Sequence, residues 1–223
     1  TSTNPAVTIN EDGSNKEYVF RACFLDPFQG EVVASLAMEL GAKSAAVLFD
    51  VGNDYVKGLA EYFKASFEQM GGTVPVFEAY TKDDTDFSAI LGKVAAASPD
   101  VLFLPDYYSK NNLIAAQVKE KGINAILLGG DGWDSPELKF DLFEGGYFSN
   151  HYSPADPRPL VQNFVSSYQA KYGVIQVYAP YSYDAVYALV DAMKRANSAE
   201  PAKVLAELPK VDIQGVSGPV KFD

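Results

Sequence analysis

The stretch Ser44-Ala45-Ala46-Val47-Leu48-Phe49-Asp50-Val51-Gly52-Asn53-Asp54-Tyr55 decides the fold. Its unbroken small and apolar run predicts a strand buried on both faces, and such strands belong to parallel sheets. The turn residues Gly52 and Asn53 close it. Residues 54–70 then set Tyr55, Leu59, Tyr62, Phe63, Phe67 and Met70 along one helical face, until Gly71-Gly72 stops the helix.

The same rhythm extends in both directions. Upstream, residues 18–24 read as a strand and 28–40 as a helix that begins at Asp26-Pro27. Downstream come a strand at 74–80, the acidic helix start Asp83-Asp84-Thr85-Asp86 with a helix to about Ala97, and a strand at 101–104. A helix at 110–121 stops at Gly122, and a strand at 125–128 is broken by Gly129-Gly130-Asp131-Gly132. This β-α alternation predicts an α/β fold, a doubly wound parallel sheet with helices on both faces.

The pattern changes after residues 147–151, where Pro154, Pro157 and Pro159 mark a boundary. Helices follow at about 159–172 and 179–196, the second with Val186, Leu189, Val190 and Met193 at helical spacing, and a short one at 200–207. Residues 216–222 offer one more strand, with nothing before it in this segment to pair with.

Composition narrows the function. The 223 residues are 48% apolar and carry a net charge of −11, from 29 acidic and 18 basic side chains. Phosphate backbones are bound by clustered Lys and Arg, so this balance argues against a nucleic-acid partner. A single cysteine, Cys23, permits neither an internal disulfide nor a zinc cluster and reads as a small buried hydrophobe. No apolar run approaches the roughly 20 residues of a membrane helix, and the N-terminus lacks a signal-peptide pattern, so an export signal would lie upstream.

In an open parallel sheet, ligands bind beyond the carboxyl ends of the strands. Four places lie there: Asp26-Pro27-Phe28-Gln29, the turn from Asp50 to Tyr55, Pro105-Asp106-Tyr107-Tyr108, and the segment from Gly129 to Asp134. Asp131 has glycine on both sides, which lets the backbone approach a ligand closely and suits its carboxylate to an ammonium group. The alternative is that Asp131 starts a turn or caps a helix near Pro136. Tyr55, Tyr107, Tyr108 and Trp133 offer an aromatic wall with polar tips, or edge packing.

Catalytic readings are weak. His151 is the only histidine and has no nucleophile elbow beside it. An acid/base pair of Asp106 and Asp131 has no spacing rule behind it. Neither a G-x-G-x-x-G nor a Walker pattern follows any strand, so no nucleotide cofactor is expected.

Several segments together resemble the type I periplasmic solute-binding proteins that serve ABC importers of branched-chain and related amino acids. They are Thr3-Asn4-Pro5-Ala6-Val7-Thr8, Tyr18-Val19-Phe20-Arg21, Asp26-Pro27-Phe28-Gln29-Gly30, Ala46 to Asp50 with Asp54-Tyr55 and Gly58, Asp86-Phe87-Ser88, Pro99-Asp100-Val101, Gly129 to Gly132, and Tyr181 to Val186. The resemblance implies two α/β lobes closing on a ligand in the cleft between them, with no chemistry and no cofactor or metal. The ligand would be an amino acid, the partner an ABC permease in the membrane, and the location periplasmic or extracytoplasmic.

By position, Thr3 resembles the hydroxyl residue that holds the ligand's α-groups, with Thr1 and Ser2 offering neighbouring backbone. Tyr55, Tyr107 and Asp131 match second-lobe contacts, Asp131 standing where an acidic residue pairs with the α-ammonium; Trp133 joins them as an aromatic contact. The family's opening β-α units are absent, so residues 17–150 read as a nearly complete second lobe and 1–16 with 151–223 as parts of the first. Helices at 159–196 would then lack cover, which implies self-association or repacking. A ligand-sensing domain of a receptor or regulator is the alternative function.

Overall fold

Five strands, β1 (Ser44–Asp50), β2 (Thr73–Tyr80), β3 (Val101–Leu104), β4 (Ile126–Gly129) and β5 (Tyr147–Phe148), run parallel in the order β2-β1-β3-β4-β5. They belong to a computed structural model that describes residues 3–176 and 178–222. The chain forms two compact units, the first holding Thr3 and Phe24–Asn150 and the second holding Asn4–Cys23 with the described residues from 151 onward.

Four helices cover the sheet of the first unit: α1 (Asp26–Glu39), α2 (Asp54–Gln69), α3 (Ser88–Ala97) and α4 (Tyr108–Glu120). The buried run that predicts β1 is divided between its two faces. Ala45, Val47 and Phe49 pack with α1 and α2, while Ala46 and Leu48 pack with α3 and α4. Helices therefore lie on both faces, and each fully buried phenylalanine, such as Phe63, Phe67 or Phe103, contributes about 1.5–3 kcal/mol.

α2 starts where predicted, because the Asn53 side chain accepts hydrogen bonds from the Tyr55 and Val56 N–H groups at 3.1 and 3.4 Å. Its buried face is Tyr55, Val56, Leu59, Ala60, Phe63 and Phe67, whereas Tyr62 and Met70 are exposed. α1 packs closely on it at Gly30, where a Cβ would meet the Tyr62 Cβ at 2.7 Å.

The strand predicted at residues 18–24 does not form. Among the described residues the strands of the second unit are β6 (Asp212–Gln214) and β7 (Pro219–Lys221), which pair with each other. Instead, Arg21 donates to the Asn4 carbonyl at 2.8 Å and the Thr8 hydroxyl at 3.3 Å, and Tyr18 is exposed. Cys23 is half-buried rather than a core residue. The tail strand does have a partner, because β6 is a short segment with no apolar run to announce it.

The other helices of the second unit are α5 (Pro159–Tyr172), α6 (Ala179–Ala196) and α7 (Pro201–Leu205). α6 buries small residues, Ala188 and Ala192, together with Asp184, and turns Val186, Leu189 and Val190 outward. The Asp184 carboxylate fixes that orientation by accepting from the Val216 and Ser217 N–H groups, each at 2.8 Å. No helix of the described residues is long and apolar enough to cross a membrane.

Candidate functional site

In this strand order the chain reverses direction across the sheet between β1 and β3, and a crevice at such a switch point is the expected ligand position. Asp50 ends β1, Asp106 lies just beyond β3 and Asp131 just beyond β4, all three buried. Each has its own donors.

Asp131 is 8% exposed. Its Oδ1 accepts the Tyr55 hydroxyl at 2.6 Å, and that hydroxyl oxygen in turn accepts the Gly132 N–H at 3.3 Å. The Asp131 N–H donates to Gln29 Oε1 at 2.8 Å. Burial, and next the charge of Asp131, hold the Tyr55 hydroxyl well above the ordinary tyrosine range, so it stays a donor. The Tyr107 ring lies 5.4 Å from that of Tyr55, at the N-terminus of α4.

Asp106 accepts from the Tyr80 hydroxyl and the Tyr107 N–H, both at 2.7 Å. Burial raises its pKa above the ordinary carboxylate value, with the charge of Asp50 adding to the rise. Asp50 is held by the Gly52 N–H at 2.8 Å.

The glycines around Asp131 are required by the protein's own packing. A Cβ at Gly130 would lie 2.7 Å from the Tyr55 hydroxyl and 2.8 Å from Gln29 Oε1, and one at Gly132 would lie 3.0 Å from the Asp106 carbonyl. No helix begins near Pro136; Asp131–Trp133 is a single 3-10 turn.

Tyr55, Tyr107 and Asp131 are therefore brought together. Trp133 is not with them: it is 1% exposed, its indole N–H donates to the Leu104 carbonyl at 2.9 Å, and its ring packs 4.5 Å from Phe143. Its aromatic surface and its one donor are used in the core, so it does not line the crevice. Thr3 is buried, and its carbonyl accepts the Asp26 N–H at 3.0 Å at the start of α1. Ser2 and Thr1 lie outside the described residues. His151 stacks on Tyr181 in the second unit, with centroids 3.9 Å apart.

Sequence reading missed two participants. Gln29 lies in a segment singled out for its position after a supposed strand, with no role given to the residue itself. Ser149, whose hydroxyl donates to Gln29 Oε1 at 2.7 Å, carries no sequence signal at all.

A family model described as periplasmic binding protein matches residues 2–223. The Leu/Ile/Val-binding protein homolog 3 of Brucella melitensis is 29% identical over 93% of this chain and 56% of its own length. For the Leu/Ile/Val-binding protein BraC3 of Rhizobium johnstonii the figures are 32%, 84% and 52%. The chain thus spans about half the length of these relatives.

Among solved structures, the leucine binding protein LivK of Thermotoga maritima superposes with a TM-score of 0.85 at 36% identity, over 98% of this chain and 63% of that one. LivJ of Streptococcus pneumoniae, solved in complex with isoleucine, gives 0.82 at 29% identity, over 93% and 60%. A family match across nearly the whole chain, on a parallel sheet whose strand ends carry the tyrosines and the carboxylate, establishes that this chain belongs to the periplasmic binding protein family.

Proposed function

We propose that the chain is the ligand-holding part of an extracytoplasmic solute-binding protein of an ABC importer, and that it binds a branched-chain or related amino acid without transforming it. The observation that carries this reading is the buried Tyr55–Asp131 hydrogen bond at the carboxyl end of β4. A carboxylate has about four acceptor sites, so one held by a tyrosine can also receive an ammonium group. Desolvation strengthens that pairing. The relatives named for leucine, isoleucine and valine support the ligand class.

In this reading Asp131 pairs with the α-ammonium, Tyr55 fixes the carboxylate, Tyr107 supplies an aromatic wall, and Thr3 with Ser2 meets the ligand's α-groups. Asp131 is one methylene shorter than a glutamate, so the ammonium sits deeper or is bridged by water. The first unit corresponds to the second lobe of the family, and the permease in the membrane is the partner. The exposed Val186, Tyr187 and Leu189 on α6 support self-association of the isolated chain.

Isothermal titration with leucine, isoleucine, valine and polar amino acids, beside Asp131→Ala, tests the reading. Binding of an aliphatic amino acid that weakens at least about tenfold in the variant is expected, from the worth of a hydrogen-bonded charge. Binding unchanged by the substitution, or no binding across the panel, overturns it. Sedimentation showing a monomer at all concentrations would overturn the self-association.

A further inference from the structure

Gln29, in the first turn of α1, is 1% exposed, and its one carbonyl oxygen accepts two hydrogen bonds from different parts of the chain. The Asp131 N–H reaches it from beyond β4 at 2.8 Å, and the Ser149 hydroxyl from beyond β5 at 2.7 Å. The amide orientation follows from chemistry. A backbone N–H can only donate, so the oxygen must face Asp131; turning the amide over would set two donors against each other. The buried amide nitrogen has no hydrogen-bond partner among the described residues. Leaving such a group unpaired offsets much of what the two accepted bonds contribute. Stability alone is thus a poor reason for an amide where an apolar side chain of similar size would fit.

Its position suggests the reason. Gly130 is packed so tightly against both Gln29 and Tyr55 that the Asp131 turn is gripped from two sides: backbone by Gln29, carboxylate by Tyr55. Ser149 is followed by Asn150, the last residue before the chain passes to the second unit. The same turn of α1 donates the Asp26 N–H to Thr3, which adjoins Asn4 of the second unit.

We infer that Gln29 is the positioning residue of the Asp131 site, and that through Ser149 it ties the Asp131 turn to the place where the chain leaves the first unit. This rests on the reading of Asp131 as the ligand's carboxylate partner.

Amide hydrogen exchange of the whole chain, followed by NMR and paired with amino-acid titration, tests it. Gln29→Leu speeds exchange at the Asp131 N–H by at least about tenfold, the worth of one buried hydrogen bond, and leaves Val47 in β1 unchanged. Ser149→Ala removes one donor and little volume, folds without difficulty, and speeds the same exchange by about two- to tenfold.

In titration, Gln29→Leu weakens binding about tenfold in the intact site and not at all in the Asp131→Ala background, the signature of a residue acting through another. Unchanged exchange at Asp131 in Gln29→Leu overturns the positioning role, whether or not an amino acid binds. Equal loss of affinity in both backgrounds overturns it too. If no amino acid binds while exchange responds as described, the ligand reading fails and the positioning of Asp131 by Gln29 stands.

Discussion

Replacing Gly130 by alanine adds one methyl group at the most crowded point of the site. The new Cβ would lie 2.7 Å from the Tyr55 hydroxyl, 2.8 Å from Gln29 Oε1 and 2.8 Å from Leu59 Cδ2. All three side chains are at most 2% exposed, so none can swing into solvent. The backbone at Gly130 is extended, with φ −100°, which alanine adopts freely, so the cost is steric alone. Overpacking of this kind costs about 1–3 kcal/mol. Relief requires moving Tyr55 or Gln29, which gives up a hydrogen bond to Asp131 worth a further 1–3 kcal/mol, roughly. The total is about 2–6 kcal/mol.

Urea unfolding followed by fluorescence measures it, because Trp133 is the only tryptophan and is buried within the same unit. Gly41→Ala is the control. Nothing lies within 4 Å of a Cβ there, but φ is +85°, so only the backbone strain of about 1–2 kcal/mol applies. If Gly130→Ala unfolds within about 0.5 kcal/mol of the native chain, the packing argument for the Asp131 turn is wrong.

Three further outcomes are expected. Tyr55→Phe removes the donor to Asp131 and the acceptor of the Gly132 N–H, lowering stability by about 1.5–3 kcal/mol in urea and weakening amino-acid binding about tenfold by calorimetry. Burial holds the folded Asp106 above its unfolded value of 3.8, so the stability from this group is fully present below pH 3.8 and is lost as pH rises through the folded pKa. The amide introduced by Asp106→Asn cannot ionise, so the variant's melting temperature rises relative to the native chain between about pH 3 and about pH 7; a constant gap would contradict this. Asp184→Ala strands the Val216 and Ser217 N–H groups and should cost about 2–4 kcal/mol in the urea midpoint of the helical circular-dichroism signal.

The legible parts of the fold are those where local pattern and tertiary burial agree. β1 and β3 are apolar on both faces because helices cover both, so their extents can be read to within a residue. α5 and α6 begin at Pro159 and next to Pro180, where proline fits a first helical turn. The failures lie where partners decide. Residues 18–24 have strand composition but pair with no strand among the described residues, whereas 212–214 lack it and pair with β7.

The site divides in the same way. That Tyr55, Tyr107 and Asp131 lie together is legible, because strand ends in a parallel sheet converge whatever their sequence. The inward turn of Trp133 was not legible, since it depends on Gly129 lacking a Cβ, which would lie 2.1 Å from the indole ring. The spacing from Asp131 to Trp133 says nothing about which way either side chain points in a 3-10 turn. Gln29 and Ser149 escaped for the same reason: their bond spans 120 residues of sequence and is made by side chains with no periodicity.

The charge at this end of the sheet bears on which part of an amino acid, the ligand proposed above, would be held there. Asp26, Asp50, Asp106 and Asp131 are all buried there or at the start of α1. Burying carboxylates is costly unless donors meet them. Tyrosine hydroxyls and backbone N–H groups do so at Asp50, Asp106 and Asp131, and the N-termini of α1, α2 and α4 add their positive dipole ends. These donors offset part of that cost. Coulomb attraction therefore favours a cation in the crevice and opposes a second carboxylate. An amino acid carries both groups, and under the proposed function its ammonium would be the half held at this edge.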